Sequence, residues 1–204
     1  MSLPHRGLAA LLVLPLVLSP SRPLTAQVAW TGRLGATLTS TMVTDQITAS
    51  SIHLKPGIAP TLGIEASMPL RTKTPVDATF ELQATTATLR SEEGGKTTDL
   101  ASMRTFALTG GISAHMIGPV RYRAAAGFIS YFTSEKASIF QDGVPIRPAA
   151  TLALEYRRRL SNAYTLSGML RYDIHSFTTK QLQNSGYTGG QIVHRVTVGV
   201  GVSR

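Results

Sequence analysis

After residue 27 the sequence alternates: apolar side chains occupy every second position in eight separate windows. They are Val28–Leu38, Leu54–Met68, Val76–Ala84, Phe106–Met116, Val120–Phe128, Ile146–Tyr156, Tyr164–Ile174 and Ile192–Val202. Successive side chains of a strand point to opposite faces, so this period describes strands with one apolar and one polar face. The apolar face falls on even numbers throughout. Of the 48 even positions in the windows, His194 alone is polar. The 40 odd positions hold 12 charged residues: Arg33, Lys55, Glu65, Asp77, Glu81, Arg121, Arg123, Arg147, Glu155, Arg171, Asp173 and Arg195. Most other odd positions are Gly, Ala, Ser or Thr, with Met169 and Val193 as large apolar exceptions.

Two eight-stranded architectures give this pattern. A soluble lipocalin-like barrel turns the apolar face inward around a ligand, whereas a membrane barrel turns it outward and fills a narrow lumen with polar side chains. Three features favour lipid. Only 15% of residues are charged, against about 25% in soluble domains, and both charge signs sit mid-strand among small neighbours, as a paired lumen requires. The connections alternate in length: 43–51, 85–105, 133–145 and 177–191 are long, while 69–75, 117–119 and 157–163 are short. Long loops at one end and short turns at the other mark membrane barrels. Finally, the aromatics Trp30, Tyr122, Tyr156 and Tyr164 fall toward the short-turn end and Phe132 toward the other, where amphipathic rings favour a lipid–water interface. Pro56, Pro60 and Pro148 interrupt apparent strands, and Pro60 in particular predicts a bulge or local break.

Residues 1–26 read as a secretory signal peptide, with His5 and Arg6, an apolar stretch Leu8–Leu18, and Leu24-Thr25-Ala26 before the cleavage point. That stretch is too short for a membrane-spanning helix, which needs about 20 residues. The expected domain is therefore 27–204, an all-β, eight-stranded antiparallel up-and-down transmembrane β-barrel following a cleaved signal peptide. The absence of cysteine removes disulfides and thiol chemistry. Alternating segments such as Leu54-Lys55-Pro56-Gly57-Ile58-Ala59-Pro60-Thr61-Leu62-Gly63 and Val196-Thr197-Val198-Gly199-Val200-Gly201-Val202 complete an architecture that resembles the small OmpA/OmpX-type outer-membrane barrels. Proteins of that class commonly end in an aromatic residue, whereas this sequence closes Val202-Ser203-Arg204. The resemblance implies the outer membrane of a Gram-negative-type cell.

The 12 odd-face charges are the first candidate site. Seven are basic and five acidic, enough to neutralise one another with about two cations over; in so narrow a barrel they read as a plug of ion pairs rather than a pore. In Arg171-Tyr172-Asp173-Ile174-His175-Ser176-Phe177, Asp173 and His175 share the inward face, which suggests a general base and an alternative role as a lipid-modifying hydrolase or acyltransferase. Ser176 points the other way, so Ser134 or Ser138 would have to serve as nucleophile. Arg90, Arg104 and Lys180, beside His194, lie on or near the outward face at its outer end and suit lipid phosphates, including those of lipopolysaccharide. His53, His115, His175 and His194 show no metal-ligand spacing, and neither a cofactor nor nucleic acid is expected: the formal charge of +9 is spread without a basic helix, and Gly94-Gly95 and Gly189-Gly190 read as loop tips. The expected role is a non-enzymatic scaffold whose partners are outer-membrane lipid and a surface ligand or protein. That partner would meet the connection 133–145, which carries Glu135, Lys136, Phe140 and Asp142.

Overall fold

A computed structural model describes residues 28–47, 50–70, 75–134, 146–161, 163–184 and 191–204. The leader reading of 1–26, Gly189-Gly190 and the four candidate contact residues of 135–145 lie outside these residues. The described elements are β1 (Ala29–Thr39), β2 (Val43–Ile47), β3 (Ser50–Pro56), β4 (Ala59–Pro69), β5 (Val76–Glu93), β6 (Lys96–Ile117), β7 (Val120–Thr133), β8 (Ile146–Arg159), β9 (Thr165–Phe177), a short α1 (Lys180–Asn184) and β10 (Gln191–Ser203).

Eight of these strands form a closed antiparallel ring. Its order is β5-β4-β1-β10-β9-β8-β7-β6, and β6 pairs back onto β5. Closure gives every interior strand two neighbours and removes the edges that an open sheet would expose. The alternation sets the orientation. Leu34, Leu62, Leu108, Leu152, Val198 and Val200 are exposed on the outside, each at about 60% of full accessibility, while Thr31, Glu65, Glu81, Thr109, Arg171 and Thr197 are buried inside. The even face therefore looks out, opposite to a lipocalin-type arrangement. Tyr122 and Phe132 stand ten positions apart on β7; at roughly 3.3 Å per residue and a tilt near 40°, they bracket a belt about 25 Å tall.

The window Leu54–Met68 is two strands. β3 and β4 both pair with β5, but Pro56 faces Leu89 while Thr61 faces Thr85, so five steps on one side meet four on the other. The extra residue lies at Gly57–Ala59, immediately before Pro60, where the sequence predicts a break. Its consequence reaches further: beyond the irregularity the parity of β3 reverses, and Pro56 turns inward while Lys55 turns outward beside Arg90.

The expected long connection 85–105 is mostly strand. β5 and β6 continue as one hairpin to Gly94 and Gly95, whose φ of 55° and 80° allow the two-residue turn. The connection 43–51 likewise forms the β2–β3 hairpin, and α1 occupies part of 177–191. These segments close the long-connection end with a buried apolar cap in which Met42, Leu89, Met103, Ile129, Phe177, Leu182 and Val193 pack together.

Candidate functional site

Two acids define the middle of the lumen. Glu65 on β4 and Glu81 on β5 oppose each other directly across the ladder, and both are buried. Like charges so placed repel, and each buried ion unaided costs several kcal/mol. Arginines from three other strands offset both terms. Arg33 on β1 forks onto Glu65, with Nη1 2.6 Å from Oε2 and Nη2 3.3 Å from Oε1, and Nη2 also donates to Glu155 on β8 at 3.0 Å. Arg123 reaches from β7 to donate to both Glu65 and Glu81. Arg171, on β9 at the far side of the ring, donates to Glu81 at 2.7 Å and to Asp173 at 2.8 Å. Thr151 supplies a further hydrogen bond to Asp173 at 2.6 Å.

Small neighbours make room for these long side chains. A Cβ on Gly201 would stand 3.1 Å from Arg33 Cγ and 2.9 Å from Ser167 Oγ. Toward the long-connection end the charges give way to hydroxyls: Thr37 is 2.7 Å from both Thr61 and Thr197. The arrangement is a filled, cross-braced interior.

The structure brings together Arg33, Glu65, Glu81, Arg123, Glu155, Arg171 and Asp173. Asp77 and Arg121 form a separate, half-buried pair near the short-turn end. Arg195 is buried, with Nη2 3.5 Å from Thr85 Oγ1 and no ion pair among the described residues. Arg147 is half-buried and donates to the carbonyl of Thr178. Lys55 corrects the sequence reading. It stands outside the lumen, half-exposed, 2.6 Å from Glu92, because the extra residue before Pro60 inverts the parity of β3. Arg157 was missing from the sequence set and belongs in it: its Nη2 lies 2.9 Å from Glu155 and 3.9 Å from Glu65. The signal was present, since 157 is odd and continues the β8 alternation by one step.

Trp30, Tyr122, Tyr156 and Tyr164 are exposed around the short-turn end, and Phe132 is exposed near the other, edge-on to Phe106 with centroids 5.5 Å apart. Arg90 is engaged by Asp99 at 2.9 Å. Arg104 and Lys180 are exposed and make no ion pair among the described residues. Arg104 faces Thr86 and Phe132 on its two neighbouring strands.

The Asp173–His175 pairing suggested by the sequence is not formed. His175 Nε2 is hydrogen-bonded to the Tyr131 hydroxyl, while Asp173 serves Arg171 and Thr151. Ser176 is exposed on the outer face, and Ser134 accepts a hydrogen bond from the Ser102 amide; Ser138 lies outside the described residues. The other histidines are apart: His53 is 3.4 Å from Thr44 Oγ1, His115 is 2.6 Å from the Gly118 carbonyl, and His194 is 2.6 Å from the Tyr172 hydroxyl. Among the described residues, no group of three or more His, Cys, Asp or Glu is placed to hold a metal ion.

No protein-family model matches this chain, and no curated protein matches it in sequence. Among solved structures it is similar to the Neisserial surface protein A, NspA, at a TM-score of 0.51 and 10% identity, covering 86% of this chain and 94% of that one. It is similar also to the outer membrane protein OprG from Pseudomonas aeruginosa, at a TM-score of 0.51 and 11% identity, covering 87% of this chain and 96% of that one. At such identities the likeness concerns the fold, which is that of the small outer-membrane β-barrels.

Proposed function

We propose that this protein is a non-enzymatic scaffold of the outer membrane, a sealed barrel that holds its long connections at the cell surface. The observation that carries this reading is the inversion of the molecule. Its large apolar side chains cover the outside, while eight charged residues, Arg157 among them, are cross-bridged within. Such a lumen is filled by its own side chains, so the barrel supports and positions rather than conducts. Partner recognition falls to the connections at the long-connection end, above all 135–145, because loops on a rigid support commonly carry function.

The outer leaflet supplies the second partner. Arg104 sits where the outer face of the β5–β6 hairpin changes from Phe106 and Leu108 to Thr86, Thr88 and Ser102. That depth suits a guanidinium–phosphate contact with lipid. Lys180 joins it at the mouth, whereas Arg90 is already held by Asp99.

Replacing 135–145 with a Gly-Ser linker of equal length tests the scaffold reading. The variant is expected to keep the folded gel mobility that shifts on boiling, yet lose binding to whatever surface partner the intact protein captures. Loss of the folded band would show that the segment is structural and overturn the division between scaffold and displayed loop.

A further inference from the structure

We infer that the short-turn rim carries a binding site for the phosphodiester of an anionic glycerophospholipid in the periplasmic leaflet, centred on Arg158. This inference rests on the membrane orientation proposed above. Arg158 is exposed on the outward face of β8, two residues beyond Tyr156, and its ladder partner is Leu166 on β9. Tyr164 lies on the adjoining rung: Leu160 and Ser161 both donate backbone hydrogen bonds to its carbonyl. On the other side of β9, Arg204 exchanges two backbone hydrogen bonds with Trp30, at 3.4 and 3.1 Å. Outward along this rim therefore run Tyr156, Arg158, Tyr164, Arg204 and Trp30, an alternation of aromatic rings and guanidinium groups.

Depth and charge select the occupant. Aromatic rings of this kind settle at headgroup level; Leu166 and Val202 share the rung of Arg158, and the apolar Leu154, Leu170 and Val198 follow on the membrane side of Tyr156. The guanidinium is thus held where phosphates reside, not among acyl chains. The side-chain carboxylates of this half of the barrel do not compete. Glu65, Asp77 and Glu155 face the lumen and are bridged there to Arg33, Arg121, Arg123 and Arg157. At the opposite rim Lys55 and Arg90 are already matched by Glu92 and Asp99, which leaves Arg104 and Lys180 there without an ion pair among the described residues. Neither Arg158 nor Arg204 has an ion pair among the described residues, and the exposed phenols of Tyr156 and Tyr164 offer two further hydrogen-bond donors. A guanidinium flanked by phenolic hydroxyls suits a phosphodiester, with the lipid's acyl chains lying against the apolar belt.

The test uses the full folded chain in mixed micelles, with dihexanoyl phosphatidylglycerol, dihexanoyl phosphatidylcholine and inorganic phosphate as probes, and native mass spectrometry to count bound lipid. Phosphatidylglycerol is expected to be retained over phosphatidylcholine, and inorganic phosphate not retained. A cation near an anionic surface contributes about fivefold in binding, so Arg158→Gln should lower the preference about fivefold and Arg158→Gln with Arg204→Gln by more than tenfold. Lys96→Gln, an equal charge change at the hairpin tip, should leave it intact. Equal retention of both lipids by the unaltered protein, or an undiminished preference in the double variant, overturns the inference. So does tight retention of inorganic phosphate, which would mark a free-phosphate site instead. Folded gel mobility checks each variant. A barrel that stays dispersed without detergent would sink the membrane reading itself, whereas an inserted barrel lacking lipid preference would sink only this site.

Discussion

Glu81→Ala is the substitution that most sharply probes the lumen lattice. The carboxylate accepts from Arg123 and, at 2.7 Å, from Arg171, with Arg33 3.8 Å away. Its removal leaves Arg123 with Glu65 and Arg171 with Asp173, so two buried guanidinium groups each lose one of their two anchors. Breaking a buried ion pair from one side costs about 3–5 kcal/mol. For a chain of this size that corresponds to roughly 6–20 °C in the unfolding midpoint. The assay is the temperature at which the compact gel band converts to the unfolded one, supported by urea unfolding in lipid vesicles. Arg123 touches only Glu65 and Glu81 in the lattice, so Glu81→Ala combined with Arg123→Ala removes one charge of each sign. The remaining Arg33–Glu65–Glu155 and Arg171–Asp173 groups stay paired. The double variant should therefore fall short of the summed single losses by about 0.5–3 kcal/mol. Additive losses, or a Glu81→Ala midpoint within a degree or two of the unaltered protein, would refute the reasoning, because the carboxylate would then be hydrated rather than bridged.

Three other substitutions give contrasting outcomes. Lys55→Ala should cost no more than about 1 kcal/mol in the same unfolding assay, since its pair with Glu92 is half-exposed. Tyr131→Phe keeps the ring edge-on to Phe177 at 5.4 Å but strands His175 Nε2, at a cost of about 1–3 kcal/mol read from urea midpoints. Gly127→Ala would place a methyl carbon 1.9 Å from the Leu108 carbonyl oxygen, so β6 and β7 cannot keep their present register; the expected result is loss of the compact gel band on refolding.

The ring was legible because burial acts on alternate residues, and alternation survives in the sequence whatever the loops do. From Val120 to Phe128 and from Ile192 to Val202 the period passes through β7 and β10 without a break. It was misleading where the ladder gains a residue. A single extra position near Pro60 reverses every side chain beyond it, and Lys55 crossed from inside to outside for that reason alone. The apolar cap was illegible for a different cause. Leu89, Met103, Ile129 and Phe177 occupy inward odd positions, which polar residues hold lower in the barrel, and the alternating windows stop before reaching them. Val193 was the visible hint, as a large apolar residue on an otherwise polar face that does join the cap. Partner choice within the lattice was beyond any period. Whether Arg123 meets Glu65, Glu81 or both depends on which strands lie across the lumen, and that follows from closure of β6 on β5.

Site-directed spin labelling along β8 addresses the orientation of the barrel most directly, and the absence of native cysteine makes each label unique. Labels placed one at a time from Thr151 to Tyr156 in lipid bilayers would be exposed to oxygen, which concentrates in the acyl region, and to a water-soluble nickel chelate. Leu152 and Leu154 should show high oxygen and low nickel collision rates, with Ala153 and Glu155 shielded from oxygen in strict alternation. Oxygen accessibility peaking at the odd positions, or high nickel accessibility at Leu152 and Leu154, would contradict the outward apolar face.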